Sequence, residues 1–338
     1  MGFHKSQEFR TNRPQQGISA LTALTRFRSK VLLLLGLMIL AGACEPGPAD
    51  QGNQSANGPA PLRIISTAPS ITEIVFALGA GERLAGVSKF CEYPAEARSI
   101  PSIGGLLDPS REAITRLDPD LVIVLKENQQ FRNELAGDGY RVLTVDHKTI
   151  KGIVDSIETI GRACGRETEG KRIANGIRIR LAGYEEKMST RRNPPRILIS
   201  VSRNAGNGSL GRITIAGQDD YYDEMIRLAG GVNAYNGNIR YPAISTEGLL
   251  RMNPDLIIDL VPAYLEAKVD EAYLLAEWKE AKGARAWETG NVYIESGDFW
   301  TVPGPRFVKV IEELEKTLDQ LTIDDFTVAG ASSSSNEL

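Results

Sequence analysis

Histidine is nearly missing from this chain of 338 residues: His4 and His147 are the only two. Zinc and manganese sites draw on several His, Cys or clustered carboxylate ligands. A Ser–His–Asp triad built on one histidine needs partners that do not stand out here. No metal site, no cofactor and no catalytic residue is therefore expected. Cysteine is as scarce, at Cys44, Cys91 and Cys164. An excess of positive charge is missing too, since the formal net charge is −4, so nucleic acid is not an expected partner. No repeat array or coiled-coil heptad is present, and low complexity is confined to the two ends. What is there, 42% hydrophobic and 24% charged residues, suits a soluble globular protein with room for two ordinary domains.

The longest apolar run, Val31 to Ala43, follows Arg26, Arg28 and Lys30. A bilayer-spanning helix takes about 20 residues, so this run fits a signal-peptide core instead, and residues 1–43 are read as a signal peptide. Ala41-Gly42-Ala43 suits ordinary signal peptidase, and Leu40-Ala41-Gly42-Ala43-Cys44 is similar to a bacterial lipobox with its Leu one place too far upstream. Either cut leaves Cys44 first. Residues 44–62, rich in Pro, Gly, Asn and Gln, cannot form a core and read as a flexible tether. A tether suits a chain anchored to a membrane through a lipidated Cys44. For Cys91 and Cys164 two outcomes stand in an oxidising compartment: a disulfide, or two separate buried thiols.

From Arg63 onward short apolar strands alternate with helical periodicity, the pattern of parallel α/β layers. Ser70 and Glu73 have the spacing of a capping box at the start of the first helix. Residues 63–148 form one α/β lobe, and 149–192 a helical linker interrupted near Gly161 to Gly165. Residues 193–321 form a second α/β lobe, ending in an amphipathic helix over 306–321, and 322–338 read as a disordered tail. The expected architecture is α/β: two similar lobes joined by a single long helix, with a ligand cleft between them.

Ligands of α/β folds bind on loops that follow strands. Those loops carry Phe90, Tyr93, Lys126, Asn128, Arg203, Tyr221 with Tyr222, Arg240, Tyr241, Phe299 and Trp300. Aromatic residues interleaved with cations suit a large, partly apolar ligand carrying some negative charge. His147 falls between a strand and a helix, where a capping or hinge role is expected. Gly206-Asn-Gly208-Ser-Leu-Gly211 has the letters of a dinucleotide fingerprint. The residues after it read as strand or extended loop instead of the required helix, so a glycine-rich loop at the cleft rim is the better reading.

One element occurs twice. SREAITRLDPDLVI starts at Ser110 and STEGLLRMNPDLII at Ser245, an offset of 135 residues with seven of fourteen positions identical. Each copy places a Glu, Glu112 or Glu247, two residues after a Ser suited to cap a helix, with an Arg four residues on.

RIISTAPSITEIVFALGAGERLAGVSKFCEYP, IGGLLDPSREAITRLDPDLVI, AISTEGLLRMNPDLII and GDFWTVPGPR together resemble the iron-siderophore/vitamin B12 class of ABC-importer substrate-binding proteins. The resemblance covers Arg63 to Leu321. It implies the class III periplasmic-binding-protein architecture, two α/β lobes on one long helix with little movement on binding, and a monomer rather than an enzyme. It also implies an extracytoplasmic location, a metal-chelate ligand (a corrinoid or ferric siderophore, with haem as the alternative), and an ABC permease with its ATPase as partners. By motif position Glu112 and Glu247 would dock to permease arginines, Tyr93 and Trp300 would line the pocket, and Arg306 would be structural. The rival from another class is a chelatase-like enzyme on a similar scaffold; a third reading is a tethered sensor.

Overall fold

Near-continuous apolar stretches make the central strands. Strands buried on both faces carry no polar alternation, and Leu121–Leu125 and Leu256–Leu260 are of this kind. The computed structural model of the protein describes residues 60–189, 193–261 and 268–332. The signal peptide, Cys44 and nearly all of the tether lie outside the described residues.

In the first lobe β1 (Ile64–Ser66), β2 (Leu84–Val87), β3 (Leu121–Leu125) and β4 (Val142–Val145) form a parallel sheet in the order β2-β1-β3-β4. Helices α1 (Pro69–Ala77), α2 (Arg111–Leu117) and α3 (Gln129–Gly137) connect them, and α4 (Ile150–Ala163) leads out. Gly165, at φ +66°, turns the chain into α5 (Glu167–Met188), whose 22 residues span about 33 Å. Gly161 and Gly170 let α4 and α5 cross closely: a Cβ on Gly161 would lie 3.1 Å from the Gly170 Cα, and one on Gly170 3.0 Å from the Ile157 carbonyl.

The second lobe restarts the pattern with β5 (Arg196–Arg203), β6 (Ile213–Ile215), α6 (Tyr221–Leu228), β7 (Val232–Asn233), β8 (Ala243–Ile244), α7 (Thr246–Met252), β9 (Leu256–Leu260), α8 (Glu271–Glu277), α9 (Arg285–Glu288) and β10 (Val292–Glu295). Its sheet runs β10-β9-β5-β6-β8, with β7 beside β5. The pairs β10–β9 and β9–β5 are parallel, whereas β6 and β8 add an antiparallel edge that the alternating pattern did not reveal. Strands of two and three residues carry too little periodicity to be read.

The closing helix α10 (Phe307–Ser332) runs past Leu321 into the segment expected to be disordered. Thr322 to Ala329 holds neither Gly nor Pro, so nothing breaks the hydrogen-bond ladder there. Residues 333–338 lie outside the described residues. The largest apolar cluster joins both sheets through α1, α4, α5, α6 and α10, and a smaller cluster backs each sheet on its other face.

The capping box at α1 is not formed. Ala68 occupies the cap position without a side-chain bond, Glu73 is committed elsewhere, and buried Ser70 Oγ meets His147 Nδ1 at 2.8 Å. His147 is therefore a buried tie between the end of β4 and α1, and Thr149, not His147, caps α4. Cys91 and Cys164 are separate, free and buried, and burial pushes the Cys164 thiol up to about 11.

Burial holds the His147 imidazole down to about 4, against the opposing pull of Asp146. Unfolded chains bind this proton near pH 6.5 and the native state does not, so its contribution is full above pH 6.5 and is lost as pH falls towards 4. Urea unfolding at pH 7.5 and pH 4.5 should show the wild type losing about 2–3 kcal/mol more than His147→Gln over that interval.

Candidate functional site

Loops at the carboxyl ends of the parallel strands meet between the lobes, and two ion clusters mark where. Arg306, just before α10, donates from Nε to Glu73 Oε2 at 3.0 Å and from Nη2 to Glu73 Oε1 at 2.5 Å, reaching α1 of the other lobe. It also holds Asp298 in a second fork, at 2.9 and 2.8 Å. Its guanidinium carbon lies 3.6 Å from the centre of the Tyr93 ring, a cation–π stack across the lobes. Burial pushes the Glu73 carboxyl above its usual range although Arg306 pulls it down, while hydrogen bonding to Arg306 holds Asp298 low.

The second cluster is centred on Asp220, fully buried at the cap of α6. Asp220 Oδ2 accepts from Arg240 Nε at 2.5 Å and from the Tyr241 hydroxyl at 2.6 Å. Arg240 in turn reaches Glu127, after β3 of the first lobe, at 3.9 Å. Glu127 and Asp220 were not singled out from sequence, and Glu73 only as half of a local capping box; Asp220 had a local signal of its own, an Asp directly ahead of a helical apolar pattern.

The expected cleft residues divide. Tyr93, Phe90 and Tyr241 are exposed, at 45%, 55% and 38%. Lys126 pairs with Asp146 at 3.2 Å, and Asn128 Nδ2 donates to the Leu106 carbonyl at 3.1 Å. Phe299 is half-buried, stacked on Trp300 at 6.0 Å. Arg203, Tyr221, Tyr222 and Trp300 are not on the open surface. Arg203 is buried between Asp259 of β9, at 2.7 Å, and Glu277 of α8, because two carboxylates brought inside by those elements need a cation. Tyr221 lies in the core because the apolar face of α6 carries it there with Met225 and Ile226. Trp300 is 1% exposed, since a single 3-10 turn over Asp298–Trp300 directs its indole inward. The neighbouring Tyr222 hydroxyl donates to the Trp300 carbonyl at 2.7 Å.

The glycine-rich loop is likewise committed internally. Glu277 Oε1 accepts from Gly208 N at 2.6 Å and Glu277 Oε2 from Gly206 N at 3.2 Å, so the amides that would cradle a phosphate already hold a carboxylate. Among the described residues no group of three or more His, Cys, Asp or Glu is placed to hold a metal ion.

The repeated element has a structural explanation for most of its identities. Ser110 and Ser245 cap α2 and α7, accepting from Ala113 N and Gly248 N. Both helices end in a left-handed residue, Asp118 at φ 42° and Asn253 at φ 44°. Asp120 and Asp255 then accept from the backbone N–H of Arg63 and Arg196 at the entries to β1 and β5, at 2.9 and 2.7 Å. Those two arginines donate back to the last carbonyls of the helices, Leu117 and Met252. Helix end and strand start are thus clasped the same way in each lobe. Glu112 and Glu247 stand apart, with side chains 90% and 79% exposed and only an i+4 arginine beside each, at 3.6 and 3.0 Å. Such exposed pairs are worth a few tenths of a kcal/mol.

The profile of a family described as "Periplasmic binding protein" matches residues 64–294, which includes both sheets. The chain belongs to this periplasmic binding protein family. Within it, an uncharacterized ABC transporter substrate-binding lipoprotein, YvrC of Bacillus subtilis strain 168, is 27% identical over 315 residues, covering 85% of this chain and 95% of that protein. Among solved structures, the periplasmic vitamin B12 binding protein BtuF of Vibrio cholerae superposes with a TM-score of 0.66 at 25% identity, covering 78% of this chain and 98% of that one. The periplasmic heme-binding protein BhuT, solved with two hemes, gives 0.66 at 26% identity, over 77% of this chain and 98% of that one. All three relatives are described as binding proteins, and the first as that of a transporter. The family resemblance and the two-lobed α/β architecture read from sequence are both borne out.

In this periplasmic binding protein the Arg306 ties should be worth a large share of stability. Arg306→Leu strands the Glu73 carboxyl, 4% exposed, without a partner, which typically costs about 3–5 kcal/mol. Replacing both residues by leucine should recover most of that loss, read as the midpoint of urea unfolding.

Proposed function

We propose that this protein captures a metal chelate, a corrinoid or a ferric siderophore, and delivers it to the permease and ATPase of an ABC importer, without catalysing a reaction. The observation that carries this reading is the pairing of an aromatic cleft between two tied lobes with one exposed glutamate at an equivalent place on each lobe. Tyr93, Phe90 and Tyr241 offer ring faces to a planar or bulky ligand, with Arg240 beside Tyr241, Lys126 and Asn128 after β3, and Phe299 after β10. Trp300 supports that surface from beneath Phe299. Glu112 and Glu247 spend little of their hydrogen-bonding capacity inside the molecule. Two carboxylates at separate lobes suit oriented, bidentate pairing with arginines of a two-fold permease. A cavity of about 590 Å³ opens beside Glu247, lined also by Arg212, Ala243 and Ser245. The signal peptide and the tether after Cys44 put this work on the outer side of a bacterial membrane, with the chain held by a lipid and acting as a monomer.

Haem is the second reading. It is favoured by Tyr93, which is exposed and carries a guanidinium on its ring.

Titrating the purified protein with hydroxocobalamin, haemin and ferric siderophores, followed by tryptophan quenching, should give saturable binding of one chelate. A folded protein that binds none would remove the importer reading. Replacing Glu112 and Glu247 together by alanine should leave chelate affinity within about twofold and reduce uptake by cells at least tenfold. Undiminished uptake would assign the glutamates to helix stability alone.

A further inference from the structure

The cations expected to attract an anionic ligand are already spoken for. Arg306 is held by Glu73 and Asp298, and Arg240 by Asp220 and Glu127, so each set carries two carboxylates for one guanidinium. The same ratio holds beneath them, where Arg203 meets Asp259 and Glu277. Lys126 is matched by Asp146. Two further lysines, Lys89 and Lys309, lie over the rings of Phe90 and Phe299. With both counted, the described groups named here sum to a charge of −1, all of it from the buried Arg203 set; the others balance to zero and leave no net positive charge for an anion.

Exposure sharpens the imbalance. In the two clusters that join the lobes the guanidiniums are the covered partners and a carboxylate is the open one. Arg306 is 12% exposed against 42% for Asp298, and Arg240 31% against 47% for Glu127. A ligand entering between the lobes therefore meets carboxylate oxygens before it meets a free guanidinium fork. An anionic group would have to displace Glu127 from Arg240 or Asp298 from Arg306, leaving a carboxylate facing it at short range. In a cleft with low-dielectric walls such like-charge contacts are costly and reject partners.

From this we propose that the cleft selects a metal chelate of zero or positive net charge, with Glu127 and Asp298 as the residues that turn anionic chelates away. The proposal rests on the chelate-binding reading above and narrows it to one charge class. It also reverses the sign of charge expected from the sequence, where the cations were visible and their partners were not.

The test varies ligand charge, with the molecular frame held constant in the corrinoid pair. One pair is cationic aquocobalamin against neutral cyanocobalamin near pH 6. The other is a neutral ferric trihydroxamate against a trianionic ferric tricatecholate, and haemin with its two carboxylates is run beside them. In whichever frame binds, the less negative member should bind more tightly, by at least tenfold between the two siderophores. Glu127→Gln and Asp298→Asn should each move that ratio towards the more negative member by about fivefold for every unit of charge that separates the two ligands, the effect of one charge at roughly 8 Å in an effective dielectric near 40. Affinity for aquocobalamin should weaken from 50 to 500 mM salt while that for cyanocobalamin holds. Tighter binding of haemin or the tricatecholate, or ratios that neither variant moves, would overturn the charge selection and leave the chelate reading standing. Binding of no chelate by the folded protein would overturn both.

Discussion

A single guanidinium fixes how the two halves of this protein meet. Arg306 joins Glu73 of the first lobe to Asp298 of the second, across 233 residues of chain, and caps Tyr93 on the way. Glu73 is buried, and a buried carboxylate without a partner is far more costly than a lost surface contact. The lobes cannot separate at this point without exposing that cost. The shared apolar core through α4, α5, α6 and α10 adds a non-directional attraction; the Arg306 forks supply direction, since a planar fork accepts carboxylates only in its own plane. Restricted movement of the two lobes follows from that combination.

The same economy of means runs through both lobes. Asp120 and Asp255 close helix onto strand, and Arg63 and Arg196 close strand onto helix. The copies differ where the lobes differ: the first sheet stays parallel, and the second acquires β6 and β8 as an antiparallel edge. In that lobe β9 and α8 bring Asp259 and Glu277 inside, which in turn draws Arg203 inward.

Much of the fold was legible because its signals are local. Helix periodicity, the break near Gly165 and the apolar strands can each be read within a window of a dozen residues. The site was legible in part, for the complementary reason. Tyr93, Phe90 and Tyr241 are where loops after strands should put them, yet Tyr221 and Trp300 turn inward because a helix face and a single 3-10 turn decide their direction. Arg203 and Arg240 carry no mark in sequence of the carboxylates that meet them from 56 and 20 residues away. Glu73 was misread most instructively. Its spacing from Ser70 fits a local cap, and the long-range pull of Arg306 and His147 overrode it.

Because each exposed glutamate sits at the start of a short helix whose end is clasped to its own sheet, neither can shift far without its lobe. The distance between Glu112 and Glu247 is therefore a gauge of the angle between the lobes, as the gap between caliper tips measures what the jaws enclose. A change in that angle would be read directly as a change in that span.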